Sequence, residues 1–166
     1  MEVQYKSCTV LRAAYHQHSS IADQFWTQDS ANVNYAAEED DYFGSYLSSG
    51  DFNGDGKDDL AIGISGEDLG SIVDAGAVQV LYGSSKGLSA TLPIANQFWT
   101  QDSTNVNDVA EKMDLFGYTL SSGDFNGDGK DDIAIGVDEE DIGSTFNEVQ
   151  WKYYTVLQAA YHQHHP

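Results

Sequence analysis

The chain has 166 residues and a formal charge of −20, set by 27 Asp and Glu against 7 Lys and Arg. That balance repels phosphate backbones and anionic lipid, so neither nucleic acid nor membrane is expected as a partner, and cations become the natural ones. A single cysteine, Cys8, excludes an internal disulfide framework and a Cys-rich zinc site, and with no bilayer-length apolar run or signal-peptide core a soluble chain of unknown location is expected.

A period of 73 residues organises what remains: QFWTQDS recurs at Gln24 and Gln97, and LSSGDFNGDGKDD at Leu47 and Leu120. In chain order this divides the sequence into a terminal strand segment (1–20), two blade-like repeats (21–93 and 94–146) and a second terminal strand segment (147–166). Within one period the patterning predicts a strand at Phe43 to Ser48, a Gly/Asp-rich loop at Asp51 to Asp59, and a strand at Leu60 to Ile64. Further strands follow at Ala77 to Tyr82 and near Gln97 to Thr100. Val78, Val80 and Tyr82 alternate with Gln79 and Leu81, and Leu60-Ala61-Ile62 is a short apolar run suited to a strand buried on both faces. The expected fold is all-β, with antiparallel four-stranded propeller-like blades, two per chain, each unable to bury its apolar faces alone.

The loop Asp51 to Asp59, identical to Asp124 to Asp132, places oxygen side chains at loop positions 1, 3, 5 and 9 and Gly at position 6. A hard cation such as Ca²⁺ takes six to eight oxygens, which a tight loop supplies from side chains, one backbone carbonyl and a closing carboxylate. The candidate ligands are Asp51, Asn53, Asp55, Lys57 through its carbonyl, and Asp59, then Asp124, Asn126, Asp128, Lys130 and Asp132. Two Ca²⁺ per chain are expected. An EF-hand closes with Glu at position 12, but here that position is Ile62 or Ile135, inside an apolar run. A solvated Asp/Asn/Gly turn needs no metal; four Asp against one Lys within nine residues favour an ion that relieves their repulsion. Asp58 and Asp131, at position 8, are expected to point outward.

Phe43-Gly44, SGDFNGDGKDDLAIG and AGAVQVLYG together resemble the FG-GAP repeat, the blade unit of integrin α-chain propellers, over about residues 21 to 146. The resemblance implies four-stranded antiparallel blades, Ca²⁺ in the loop between the first two strands on the residues just named, an extracellular or cell-surface setting, and a non-catalytic scaffold or protein-ligand-binding role. The family closes its propellers with several blades, whereas this sequence holds two full cores.

The ends are related to each other: EVQYKSCTVLRAAYHQH at Glu2 reappears as EVQWKYYTVLQAAYHQH at Glu148, two periods on. They occupy the place of GAVQVLYGSSKGLSAT (76–91) yet share almost nothing with it. Written with suitable synonymous codons and read from the third base of Glu2, the first segment becomes GAVQVLYGSSGGLSPT, matching that linker at 14 of 16 positions. The chain is therefore expected to be an artificial or recombination product with shifted-frame ends. Val3 and Tyr5, and Val149, Trp151 and Tyr153, keep period-2 spacing and are expected to complete blades as strands; Val10 to Tyr15 and Val156 to Tyr161 have the alternative of short helices.

His16-Gln17-His18 and His162 to His165 have the spacing of a Zn²⁺ or Cu²⁺ pair on a strand, but the shifted frame accounts for them, and exposed histidines are expected. Cys8 lacks a dyad partner, Ser48-Ser49 and Ser121-Ser122 lie in no G-x-S-x-G elbow, and Glu39-Asp40-Asp41 and Glu139-Glu140-Asp141 read as solvated turns. No enzyme is expected. Trp26 and Trp99 read as inter-blade packing. Two blades with open edges should associate with further copies, a twofold dimer being favoured.

Overall fold

The alternation of Ala77 to Tyr82 and the apolar run at Leu60 build the two central strands of an antiparallel sheet. A computed structural model describes residues 8–10, 23–91, 96–139 and 153–157. Every regular element among them is a strand: β1 Cys8–Val10, β2 Gln24–Trp26, β3 Leu47–Gly50, β4 Asp59–Ile64, β5 Ala77–Ser84, β6 Gly87–Ser89, β7 Gln97–Trp99, β8 Thr119–Gly123, β9 Asp132–Val137 and β10 Tyr153–Leu157. The all-β, antiparallel expectation is met. No helix among the described residues is long and apolar enough to cross a membrane.

One blade has all four strands: β3, β4 and β5 in order, with β7 on the far edge of β5. β7 comes from the start of the next repeat, so the sheet crosses the boundary between periods. The second blade runs β8–β9–β10, and β1–β2 form a separate two-stranded sheet. The first strand of the blade begins at Leu47 rather than Phe43, because Phe43 is a buried anchor in a turn: Gly44, at φ 82°, donates its N–H to the Gly63 carbonyl at 3.0 Å. β6 was not foreseen. The Ser84 hydroxyl donates to the Gly87 carbonyl (2.6 Å) and accepts the Lys86 N–H (3.1 Å), closing the turn that folds β6 back on β5.

Both ends contribute strands, in a register three residues displaced from a strict repeat. Val78 of β5 stands opposite Trp99, so the residue opposite Trp26 should be Tyr5; it is Cys8. Likewise Ala77 stands opposite Ile64, so Val137 should face Gln150; it faces Tyr153. The displacement sets Thr155-Val156-Leu157 at the register positions of Gln79-Val80-Leu81, keeping Val-Leu where the repeat has Val-Leu, which is how an apolar pattern fixes register. Val3, Tyr5, Val149, Trp151, the remainder of the proposed helices, and both His clusters lie outside the described residues.

Each face of the complete blade carries a buried cluster around β4 and β5, while Leu47 at the β3 edge stays exposed. Phe43, Ile62, Ile64, Ala77 and Leu81 form one core, flanked by Trp26 and Val33. Phe52, Ala61, Val78, Val80 and Tyr82 form the other with Phe116, Ile133, Ile135 and Val137 of the second blade, flanked by Trp99 and Leu120. Trp26 and Trp99 thus take the packing roles expected of them.

Backbone contacts form part of the seam between blades. Phe116 donates its N–H to the Ala75 carbonyl (2.9 Å), and Met113 and Leu115 donate to the Val73 and Asp74 carbonyls (3.0 and 3.1 Å). Gly76, at φ 82°, lies so close that a Cβ there would sit 2.3 Å from the Phe116 nitrogen and oxygen. This explains why Phe-Gly of one repeat is matched by Gly-Ala of its neighbour. Gly76→Ala is expected to lose about 2–4 kcal/mol of stability in urea denaturation, whereas Gly70→Ala, also at positive φ but in open space, loses about 1 kcal/mol.

The same packing buries carboxyls. Glu67 accepts the Gln28 Nε2–H at 2.7 Å, and Asp41 accepts the Glu38 N–H at 2.6 Å. Asp41 is therefore not the solvated turn residue expected, although Glu39 and Asp40 are exposed. Burial, then repulsion from Asp41 and Glu38, pushes the Glu67 carboxyl up to about 8, and burial also raises Asp41. A carboxyl raised on folding contributes stability in full below its unfolded pKa, near 4.5, and loses it as pH rises through about 8. The melting temperature should fall between about pH 5 and 8, and Glu67→Gln, which keeps an acceptor for Gln28, should flatten that decline.

Candidate metal centre

The Asp51–Asp59 loop turns on Asx side chains that hold its own amides. The Asp51 carboxylate accepts the N–H groups of Gly54 (2.8 Å), Asp55 (2.9 Å) and Gly56 (2.8 Å). Asn53 Oδ1 accepts the Asp55 N–H (2.8 Å), and Asp55 Oδ1 accepts the Lys57 N–H (3.0 Å). Gly54 and Gly56 at φ 76° and 80° supply the tight reversals of the loop. Asp59, the first residue of β4, is buried; it accepts the Phe52 N–H (3.0 Å), the Gly83 N–H (2.8 Å) and a long contact from Asn53 Nδ2 (3.4 Å).

The second loop repeats this bonding. Asp124 accepts from Gly127 (2.7 Å), Asp128 (3.0 Å) and Gly129 (3.0 Å); Asn126 accepts from Asp128 (2.7 Å), and Asp128 from Lys130 (2.9 Å). Asp132 accepts the Phe125 N–H (3.1 Å) and meets Asn126 Nδ2 at 3.4 Å.

Among the described residues no three His, Cys, Asp or Glu side chains are gathered closely enough to hold a metal by themselves. The candidate set is mixed: carboxylate, amide and backbone oxygens, all hard donors suited to Ca²⁺ rather than to a thiolate- or imidazole-seeking metal. Its chemistry fits. A carboxylate has about four lone-pair sites, so Asp51, with three amide partners, retains capacity for an ion. Asp55 Oδ2 pairs with the Lys57 ammonium at 3.0 Å, a contact a bound cation would displace. Burial, opposed by the Gly83 N–H and reinforced by Asp55, pushes Asp59 up to about 6.

Position 8 behaves differently in the two copies. Asp58 is exposed, as expected, but Asp131 is half-buried and turned onto the neighbouring loop, where its carboxylate accepts the Asp51 N–H at 2.9 Å. Its own N–H donates to the Asp51 carbonyl at 3.0 Å. The alternation of a strand ignores such a cross-blade partner, and only the 73-residue stacking signals it. Ser48, Ser49 and Ser122 serve the same seam: the Ser48 hydroxyl donates to Ser122 Oγ (2.9 Å), which donates to the Ser49 carbonyl (2.6 Å).

With this geometry established, residues 43–81 and 116–149 match the FG-GAP repeat family. The chain is 32% identical over 116 residues to integrin alpha-PS2 of Drosophila melanogaster, a match covering 68% of the chain and 6% of that protein. It is 37% identical over 93 residues to phosphatidylinositol-glycan-specific phospholipase D of Mus musculus, covering 56% of the chain and 10% of the enzyme. The human phospholipase D of that name is 34% identical over 97 residues, again 10% of its length. The chain thus spans a tenth or less of these relatives. Asp51→Ala should cost stability even without metal, because three amides lose their acceptor, whereas Asp58→Ala should leave the metal-free melting temperature within about 1 °C.

Proposed function

The chain carries FG-GAP repeats of the integrin α type, and from that premise we propose that it is a structural β-propeller module whose two Asp-rich loops each bind one Ca²⁺, without catalytic activity. The supporting observation is that two loops 73 residues apart adopt one hydrogen-bond pattern, in which their Asp and Asn side chains accept from loop amides. Asp51, Asn53, Asp55 and Asp59, with the Lys57 carbonyl, hold the ion in the first loop. Asp124, Asn126, Asp128 and Asp132, with the Lys130 carbonyl, hold it in the second. The ion supplies positive charge where four acids crowd one loop; the residues supply oxygen atoms already oriented by the backbone.

The setting that goes with this reading is extracellular or cell-surface, where modules bind calcium with Kd of about 10⁻⁴–10⁻³ M. The non-catalytic reading draws on Ser48 and Ser122, whose hydroxyls are engaged in the seam between blades. A ligand-binding adhesion module is the second reading, favoured by the likeness to integrin alpha-PS2. The shifted-frame origin of both ends belongs to the proposal as well, and the gene's nucleotide sequence decides it: an unrelated codon series there ends that idea.

Thermal unfolding tests the calcium assignment. At about 100 times Kd, binding adds about 2.7 kcal/mol per site, or about 5–10 °C for a chain of this size. Melting temperatures in 10 mM calcium and in excess chelator should differ by at least that much. Asp51→Ala combined with Asp124→Ala should abolish the difference, and Asp58→Ala should keep it. A wild-type chain that melts at one temperature in both conditions contradicts structural calcium.

A further inference from the structure

The described residues contain one complete blade and two incomplete ones, and the incomplete ones fit each other. In the complete blade Gln79 of β5 stands opposite Ile62 on one side and Phe98 on the other. At the C-terminal end Thr155 of β10 stands opposite Ile135, the repeat counterpart of Ile62. At the N-terminal end Thr9 of β1 stands opposite Phe25, the counterpart of Phe98. Thr9 and Thr155 hold the same place in the duplicated terminal segment. The two ends are therefore overlapping parts of a single four-stranded register, with its third strand present twice.

The faces agree with the edges. Phe52 is 1% exposed between the two blades, but its counterpart Phe125, on the far face of the second blade, is 54% exposed. Leu120 packs against the inter-blade core, while its counterpart Leu47, on the front of the complete blade, is 48% exposed. Phe98 packs against a core and Phe25 is 64% exposed. Each uncovered residue marks a place where the repeat puts a neighbouring blade and the described residues supply none.

We propose that copies of this chain join head to tail, β2 of one copy adding, in another, to the edge of β10 that no described strand of its own chain pairs with. The front of the first copy's complete blade, with Leu47, then covers the back of the other copy's second blade, with Phe125. β1 pairs with β2 over three positions and β10 with β9 over five, so the shorter ladder is the one exchanged. The new β10–β2 ladder replaces it in kind, and the gain comes from the covered faces. The interface is heterologous, with different surfaces meeting, and two copies joined in a ring carry four blades, within the propeller range. It stands apart from the calcium assignment, which concerns the loops.

The test is sedimentation at micromolar concentration, in calcium and in chelator, of the wild type, Leu47→Glu and Phe125→Glu. The wild type should exceed the 18.1 kDa of one chain. Each variant alone should be monomeric, since every junction needs one Leu47 face and one Phe125 face, and an equimolar mixture should form pairs and go no further. A monomeric wild type, either variant assembling alone, or a mixture that stays monomeric overturns the proposal. Both sites are exposed, and circular dichroism checks that each variant folds. As a second readout, Phe25→Cys with Thr155→Cys in a Cys8→Ser background should oxidise to covalent dimers or larger species. Recovery of only single chains there also overturns it.

Discussion

Face-to-face burial of neighbouring sheets is the constraint on which the rest of this structure depends. β5 has no solvent face: Ala77 and Leu81 pack to one side, Val78, Val80 and Tyr82 to the other. Each fully buried large side chain contributes about 1.5–3 kcal/mol, whereas a ladder hydrogen bond nets about 1 kcal/mol, so the faces outweigh the edges in deciding which blades are stable. Phe52 and Phe125 make the point within one molecule. They sit in identical nine-residue sequences, and only the presence of a neighbouring blade separates 1% from 54% exposure.

The loops couple to this packing without being created by it. Asp59 holds the amides of Phe52 and Gly83, so one carboxylate ties the loop both to the aromatic anchor of the face and to the end of β5. In the second copy Asp132 still holds the Phe125 amide although the Phe125 ring is uncovered. The loop conformation is therefore set locally by its Asp, Asn and Gly residues, while the aromatic beside it responds to its surroundings. Calcium binding, as proposed, is a property of nine residues; stability of the blade is a property of two sheets. Asp131 joins the two, because its carboxylate reaches from one loop to the Asp51 amide of the other.

How much of this was legible follows the same division. Local features were readable: the Asp, Asn and Gly turn of the loop, β4 from its apolar run, β5 from its alternation, and the two tryptophans as packing residues. Features that depend on a neighbour were not. Phe43 has strand-like composition, but the close backbone approach at Gly63 and Gly44 makes it a turn anchor. Asp41 belongs to an acidic run, yet the Glu38 amide and the packing around Gln28 and Glu67 bury it. The ends were expected to be strands, but their apolar alternation gave no reason to prefer the displaced register, which emerges once Val-Leu is matched against the positions opposite β9.

Amide hydrogen exchange of repeat-equivalent residues tests most directly the claim that a blade is held by cover on both faces. In dilute solution Ala61 and Ile62 of β4 should exchange more slowly than Ala134 and Ile135 of β9, and only the β9 amides should slow as protein concentration rises. Equal protection of the two sets in dilute solution, with no dependence on concentration, would contradict the account.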